Sequence, residues 1–300
     1  MPTKLLLIVL VLAAGAGIWM YLERDEGDDG QNDKAGRDMV AGEKEDPAAV
    51  LERLAPLLQQ GGKRPPVELL ETVRAEDIPT LVKEIGRDGD LVRKRSLVWT
   101  LGFKGGEAAT GPLTALLEND YAKEALPRGT EDVLFEAIQA IGLAAAHDPK
   151  AYRFAVNATD PAFWEKQRSW SSARGDHGIH MLVSYSLHAV GMSGRPESKA
   201  DIAGFQKRGP YYVHRWGGDI TEAAFYRWLR KTKGEAILKE YVLTPPEHCR
   251  ACTSREATTP TNGASCGHLM WTVWQDSAEG KKWIAWANEK TRGPRPAKPD

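Results

Sequence analysis

"RDGDLVRKRSLVWTLGFKGGEAATGPLTALLEND", residues 87–120, decides how the rest of the chain is read. Its first half places apolar side chains at helical spacing and closes on Leu101-Gly102. The same pattern returns in "VLFEAIQAIG", ending at Gly142, and in "LVSYSLHAVG", ending at Gly191. These glycines lie 40 and 49 residues apart, the period of stacked helical hairpins. Each helix buries one stripe, glycine is expected to ease a left-handed turn at its end, and a second helix folds back. "EAATGPLTALLEND", residues 107–120, supplies that second helix in the first unit. No segment alternates with strand period, so an all-α chain is expected.

The same residues carry a resemblance. Asp88-Gly89-Asp90, Val92-Arg93, Leu101-Gly102 and the run from Leu113 to Leu117 resemble a HEAT repeat. The later units depart from it at the turn, where Glu131 and Asp132 stand in one and Gly175, Asp176 and His177 in the other. The likeness covers residues 66–205 and implies an α-solenoid, an architecture that hosts many functions.

Outward from these units, residues 46–244 read as one helical repeat domain. Asp46 is a candidate N-cap with Pro47 in the first turn and Gly61 as a stop. Near the other end a capped helix is expected from Asp219, followed by a break at Gly234 and another helix. Residues 245–270 form a Cys/His-containing loop. Residues 271–290 read as C-terminal capping helices, with Trp271 and Trp274, then Trp283 and Trp286, each spaced for one helix face. Asp276 with Glu279 suggests the start of the last helix, and residues 291–300 read as a disordered tail.

Leu5–Leu22 is an uncharged apolar run of eighteen residues behind Lys4, with Glu23, Asp25, Glu26, Asp28 and Asp29 after it. Its length and flanking charge predict a single N-terminal membrane helix, residues 1–22, with the body exported, to the periplasm in a bacterium. The small residues around Ala16 offer a cleavage site as the alternative. Residues 23–45 are acidic and Gly-rich and read as a flexible linker. The segment from Glu23 to Asp46 holds ten acids and four bases, which leaves the remaining chain at +5 against a total of -1. Together with export, so small an excess argues against a nucleic-acid partner.

Three clusters could carry chemistry. Cys249, Cys252, Cys266 and His268 form C-x2-C-x13-C-x-H, which suits one structural disulfide with a leftover thiol, or a zinc site. Haem attachment would need His where Thr253 stands. No cofactor other than such a zinc is expected. Asp176, His177 and His180 could share a metal, whereas His188 lies two turns, about 12 Å, beyond His180 and is expected on a half-exposed helix face. Lys207, Arg208, Arg215, Arg227 and Arg230 alternate with Tyr211, Tyr212, Trp216 and Trp228, a mixture that binds acidic protein surfaces or glycans. Phosphate loops, serine-hydrolase elbows and H-E-x-x-H helices are absent from the sequence. The expectation is a membrane-anchored scaffold with a protein partner. The alternatives are a metal-binding protein or enzyme at the first two clusters, and a glycan or cell-wall binder at the third.

Overall fold

Gly102 does not end its helix. A computed structural model of the chain describes residues 45–59, 64–87, 90–121, 129–166, 175–244 and 267–298. Fifteen α-helices and no strand occur among them. In chain order these are α1 (Pro47–Arg53), α2 (Ala55–Leu58), α3 (Val67–Leu70), α4 (Ile78–Ile85), α5 (Leu91–Lys104) and α6 (Glu107–Tyr121). There follow α7 (Thr130–Ala144), α8 (Pro149–Asn157), α9 (Pro161–Lys166), α10 (Gly175–Ser193), α11 (Ser198–Gln206) and α12 (Pro210–Lys233). The last three are α13 (Glu235–Leu243), α14 (Gly267–Asp276) and α15 (Ala278–Thr291). Gly102, Gly142 and Gly191 all sit inside long helices, in α5, α7 and α10. Chain reversal falls instead to Gly106 and Gly194, with φ of 51° and 60°.

What the three glycines provide is close approach. A Cβ on Gly102 would lie 2.8 Å from the Ala140 Cβ, one on Gly142 would lie 2.4 Å from the Ala189 Cα, and one on Gly191 would lie 2.2 Å from the Ala223 carbonyl oxygen. Thus α5 packs on α7, α7 on α10 and α10 on α12, each with backbone against backbone. In α7 and α10 the alanine stands two residues before the glycine. At 3.6 residues per turn that spacing puts them about 200° apart, on opposite sides of the helix. One small residue therefore meets the preceding helix and the other meets the following one.

Further contacts fix the direction of the row. Arg95 meets Glu136 where Gly102 meets Ala140 farther along, and Phe135 meets Tyr185 where Gly142 meets Ala189 farther along. His180 likewise meets Arg215 before Gly191 meets Ala223. All four helices therefore run the same way. Between them, on a second layer, α6 packs on α7, α8 on α7 and α10, and α11 on α10 and α12. Polar clasps join this layer: the Thr110 hydroxyl bonds the Asp148 carboxylate, and the Tyr152 hydroxyl bonds Asp201. Asp148 also caps α8 by accepting from the Lys150 N–H at 2.8 Å. Fully buried side chains including Leu101, Leu113, Ile138 and Leu182 make up the core, each contributing about 1.5–3 kcal/mol.

At the end of the row the pattern changes by one residue. Two positions after Ala223, where α7 and α10 carry glycine, α12 carries Phe225. Its ring meets Trp271 at 4.8 Å, Tyr241 at 5.2 Å and Trp274 at 5.5 Å, so α13 and α14 occupy the side where a further helix of the row would sit. Ser277, not Asp276, caps α15, accepting from the Gly280 N–H at 3.0 Å. A Cβ on Gly280 would stand 1.9 Å from the Trp274 carbonyl oxygen. Also unlike the sequence expectation, α12 begins at Pro210 rather than Asp219. It is kinked at Trp216 (φ -119°, ψ 16°), just before the Gly217-Gly218 pair that relaxes the helix there.

Asp46 does cap α1, and Gly234, with φ of 86°, separates α12 from α13. Early and late helices of the described row also meet. α3 touches α13, Glu71 pairs with Lys104 and Lys239, and Arg64 donates to the Val242 carbonyl. The apolar run of residues 5–22 and the acidic spacer up to residue 44 lie outside the described residues. No helix among the described residues is long and apolar enough to cross a membrane.

Candidate functional site

Cys249, Cys252 and Cys266 lie outside the described residues, and His268 belongs to α14 with its side chain likewise outside them. Asp176 and His177 form the first turn of α10, again without described side chains. No group of three His, Cys, Asp or Glu among the described residues is arranged to hold a metal. His180 is engaged elsewhere. Its Nδ1 accepts from Arg215 Nε at 3.0 Å, and its ring stacks on Trp216 at 5.3 Å between centroids.

The basic and aromatic residues at the α11–α12 junction divide into two kinds. Arg230 is structural: it donates to the Met192 carbonyl at the end of α10 at 2.7 Å and pairs with Glu235 at 2.7 Å. Trp216 is buried, and its indole N–H donates to the His180 carbonyl at 3.2 Å. Arg215 lies over Trp216 and donates to the Tyr211 hydroxyl at 2.9 Å. Lys207 is exposed, and Arg227 is half-buried on the far side of the kink. The sequence stretch therefore makes a stacked array, Tyr212 on Trp216 on His180, rather than an open aromatic surface.

Arg208 is the exception. It follows α11 by two residues and lies 4.3 Å over the ring of Phe205, with Tyr212 at 5.9 Å. One N–H reaches the Thr159 carbonyl at 3.5 Å. Arg208 makes no ion pair among the described residues, and burial lowers its pKa, with Asp160 only partly opposing that shift. It forms one wall of a groove of about 420 Å³ between the α8–α9 turn and α11, opposite Val156, Asp160 and Phe163. One Asp160 oxygen is already used to cap α9, accepting from the Ala162 N–H at 3.0 Å. The arrangement offers an incompletely solvated guanidinium, with most of its donors unused, beside aromatic and aliphatic surface.

A second polar cluster lies between α10 and α12. His188 is buried, 8% exposed, where the sequence pattern suggested a half-exposed face. Its Nε2 stands 3.3 Å from Glu222 and 3.5 Å from Asp219. Burial alone would push the imidazole pKa down, but Glu222 and Asp219 outweigh burial and push it up to about 9. Both carboxyls are held below their ordinary range: burial opposes this, and His188 overcomes it. Ser184 also bonds Asp219, and Tyr226 bonds Glu222.

Asp219 is thus a mid-helix partner of His188 and not a helix cap. The signal that would have found the cluster is register: counted back from the small-residue crossing, Gln139, His188 and Glu222 hold equivalent positions in α7, α10 and α12. The corresponding clasp between α5 and α7 is Glu136, which takes Arg95 at 2.6 Å and Arg64 at 3.1 Å, with Arg64 lying over Trp99. No family model, curated protein or solved structure matches the chain.

Proposed function

We propose that the chain is a binding scaffold of the α-solenoid kind, resembling HEAT-repeat proteins. In this reading residues 5–22 hold it at a membrane, the body lies on the extracytoplasmic side, and the ligand is a protein partner. The observation that carries the proposal is the small-residue seam, in which Gly102, Gly142 and Gly191 meet Ala140, Ala189 and Ala223 at equivalent points of successive hairpins. Such units mostly contact their neighbours, so their outer loops and grooves are left to vary for binding. The face of the row bearing Glu136 and Trp99 is partly covered by Arg64, and α3 touches α13 across the ends. The partner surface is therefore assigned to the groove at Arg208 rather than to that face.

Support for a glycan site is weaker, because Tyr211 and Trp216 are buried. A metal or enzymatic role at His180 is disfavoured by its bond to Arg215 and its stack on Trp216. The test is cross-linking of the full chain in native membranes, comparing wild type with the double variant Lys207→Glu, Arg208→Glu. A specific partner should be captured by the wild type and lost in the variant while the thermal melt is preserved. Recovery of no specific partner, or its equal recovery by both proteins, would overturn the proposal.

A further inference from the structure

We infer that the groove beside Arg208 recognises a carboxylate carried on an apolar body, as presented by a partner segment with Asp or Glu next to a hydrophobic residue. The identity of the carrier rests on the scaffold proposal; the carboxylate chemistry does not. Arg208 is the only basic residue lining the groove among those described; Asp160 lines it too and favours the charged guanidinium, but the two form no ion pair, so the donors of Arg208 stay open to a ligand. Phe205 fixes the plane of the guanidinium by stacking at 4.3 Å, and the Thr159 carbonyl engages one N–H at 3.5 Å. The remaining donors form a fork of fixed geometry, which matches the two oxygens of a carboxylate. Partial burial weakens competition from water, so an incoming anion regains solvation that the cation has lost.

The neighbouring walls state what the anion is attached to. Val156 and Phe163 line the same groove, and Phe163 meets Phe154 edge to face at 5.5 Å, which holds its ring in place. An apolar group about the size of a phenyl ring fits a groove of about 420 Å³ with space for a following backbone. Asp160 adds discrimination, because its exposed carboxylate in the same groove disfavours ligands with more than one negative charge. Inorganic phosphate should accordingly bind worse than a monocarboxylate.

The experiment is saturation-transfer NMR on the full chain in detergent micelles with 3-phenylpropionate, its neutral amide 3-phenylpropanamide, and inorganic phosphate as a competitor. Phenylpropionate should give ring-proton saturation at least fivefold above that of the amide, and millimolar phosphate should displace little of it. Arg208→Gln should abolish the preference for acid over amide, and Arg208→Lys should restore only part of it. Asp160→Asn keeps a competent helix cap and should strengthen phenylpropionate binding about twofold, which tests the same geometry should Arg208→Gln fold poorly.

Equal saturation by acid and amide, an acid preference that survives Arg208→Gln, or no gain from Asp160→Asn would overturn the inference. Retained acid preference with no partner captured from membranes would remove the scaffold reading and leave the carboxylate site. Partner capture without acid preference would do the reverse.

Discussion

The α7–α10 and α10–α12 crossings are built on the same backbone contact and fastened by opposite chemistry. At the first, Gly142 meets Ala189, and Phe135 stacks on Tyr185 at 5.1 Å with the rings nearly parallel. At the second, Gly191 meets Ala223, and His188 sits between two carboxylates. The comparison separates two layers of information. The small residues set how closely and in which register neighbouring helices lie, whereas the side chains about one turn earlier are free to differ. One crossing can therefore carry a charge cluster without disturbing the geometry of the next.

The strongest test of the shared part is Gly142→Leu beside Gly191→Leu. Each places side-chain atoms where backbone already lies within 2.4 Å of a Cβ, so each should cost about 4 kcal/mol or more in chemical denaturation, or abolish cooperative unfolding. Gly218→Ala, with no described atom within 4 Å of its Cβ, should change stability by less than about 1 kcal/mol. Unequal losses at the two crossings would show that the seam is not the common element. The differing part is tested by His188→Ala, which leaves Asp219 and Glu222 facing each other without their cation and should cost about 3 kcal/mol.

A finer distinction is pH. His188 has a folded pKa of about 9, above the ordinary imidazole value of about 6.5, so its contribution is complete below about pH 6.5 and disappears as pH rises through 9. Asp219 and Glu222 shift the other way, so their contribution is lost as pH falls below the ordinary carboxylate range. Urea titrations should show stability falling by roughly 2 to 3 kcal/mol between pH 6.5 and 9.5 in the wild type, and a much flatter profile in His188→Ala. Profiles that fall equally would assign the pH dependence elsewhere. The smallest effect belongs to Glu71→Gln, which breaks half-exposed pairs with Lys104 and Lys239 and should cost under about 1 kcal/mol, less still in high salt.

Much of the row could be read from the sequence, though for the wrong reason at its most informative residue. Leu-Gly, Ile-Gly and Val-Gly endings marked the correct helices because glycine recurs wherever two backbones must touch. The same recurrence is produced by a turn, so spacing alone did not distinguish them. The alanines at 140 and 189 would have, since only a helix flanked on both sides needs a small residue at each of two opposite faces. Ala223 carries the same signal into α12, where the missing glycine hid the fourth member.

The cap at Asp46 was legible because it depends on a few adjacent residues. The His188 cluster and the groove at Arg208 were not, because they depend on which helices become neighbours. Arg208 and Arg230 are indistinguishable in the sequence, both basic and both beside aromatics. One nevertheless closes a helix end and the other lines a groove.

In the proposed repeat reading, Phe225 gives the row a direction of growth. An additional hairpin bearing the Ala-x-Gly pattern could be spliced between α7 and α10, where both exposed ends of the cut would present a matching small residue. Behind α12 the same hairpin would meet an aromatic ring and the indoles that cover it. On that reading, lengthening by duplication is open in the interior and closed at the carboxyl end, and a single side chain acts as the full stop.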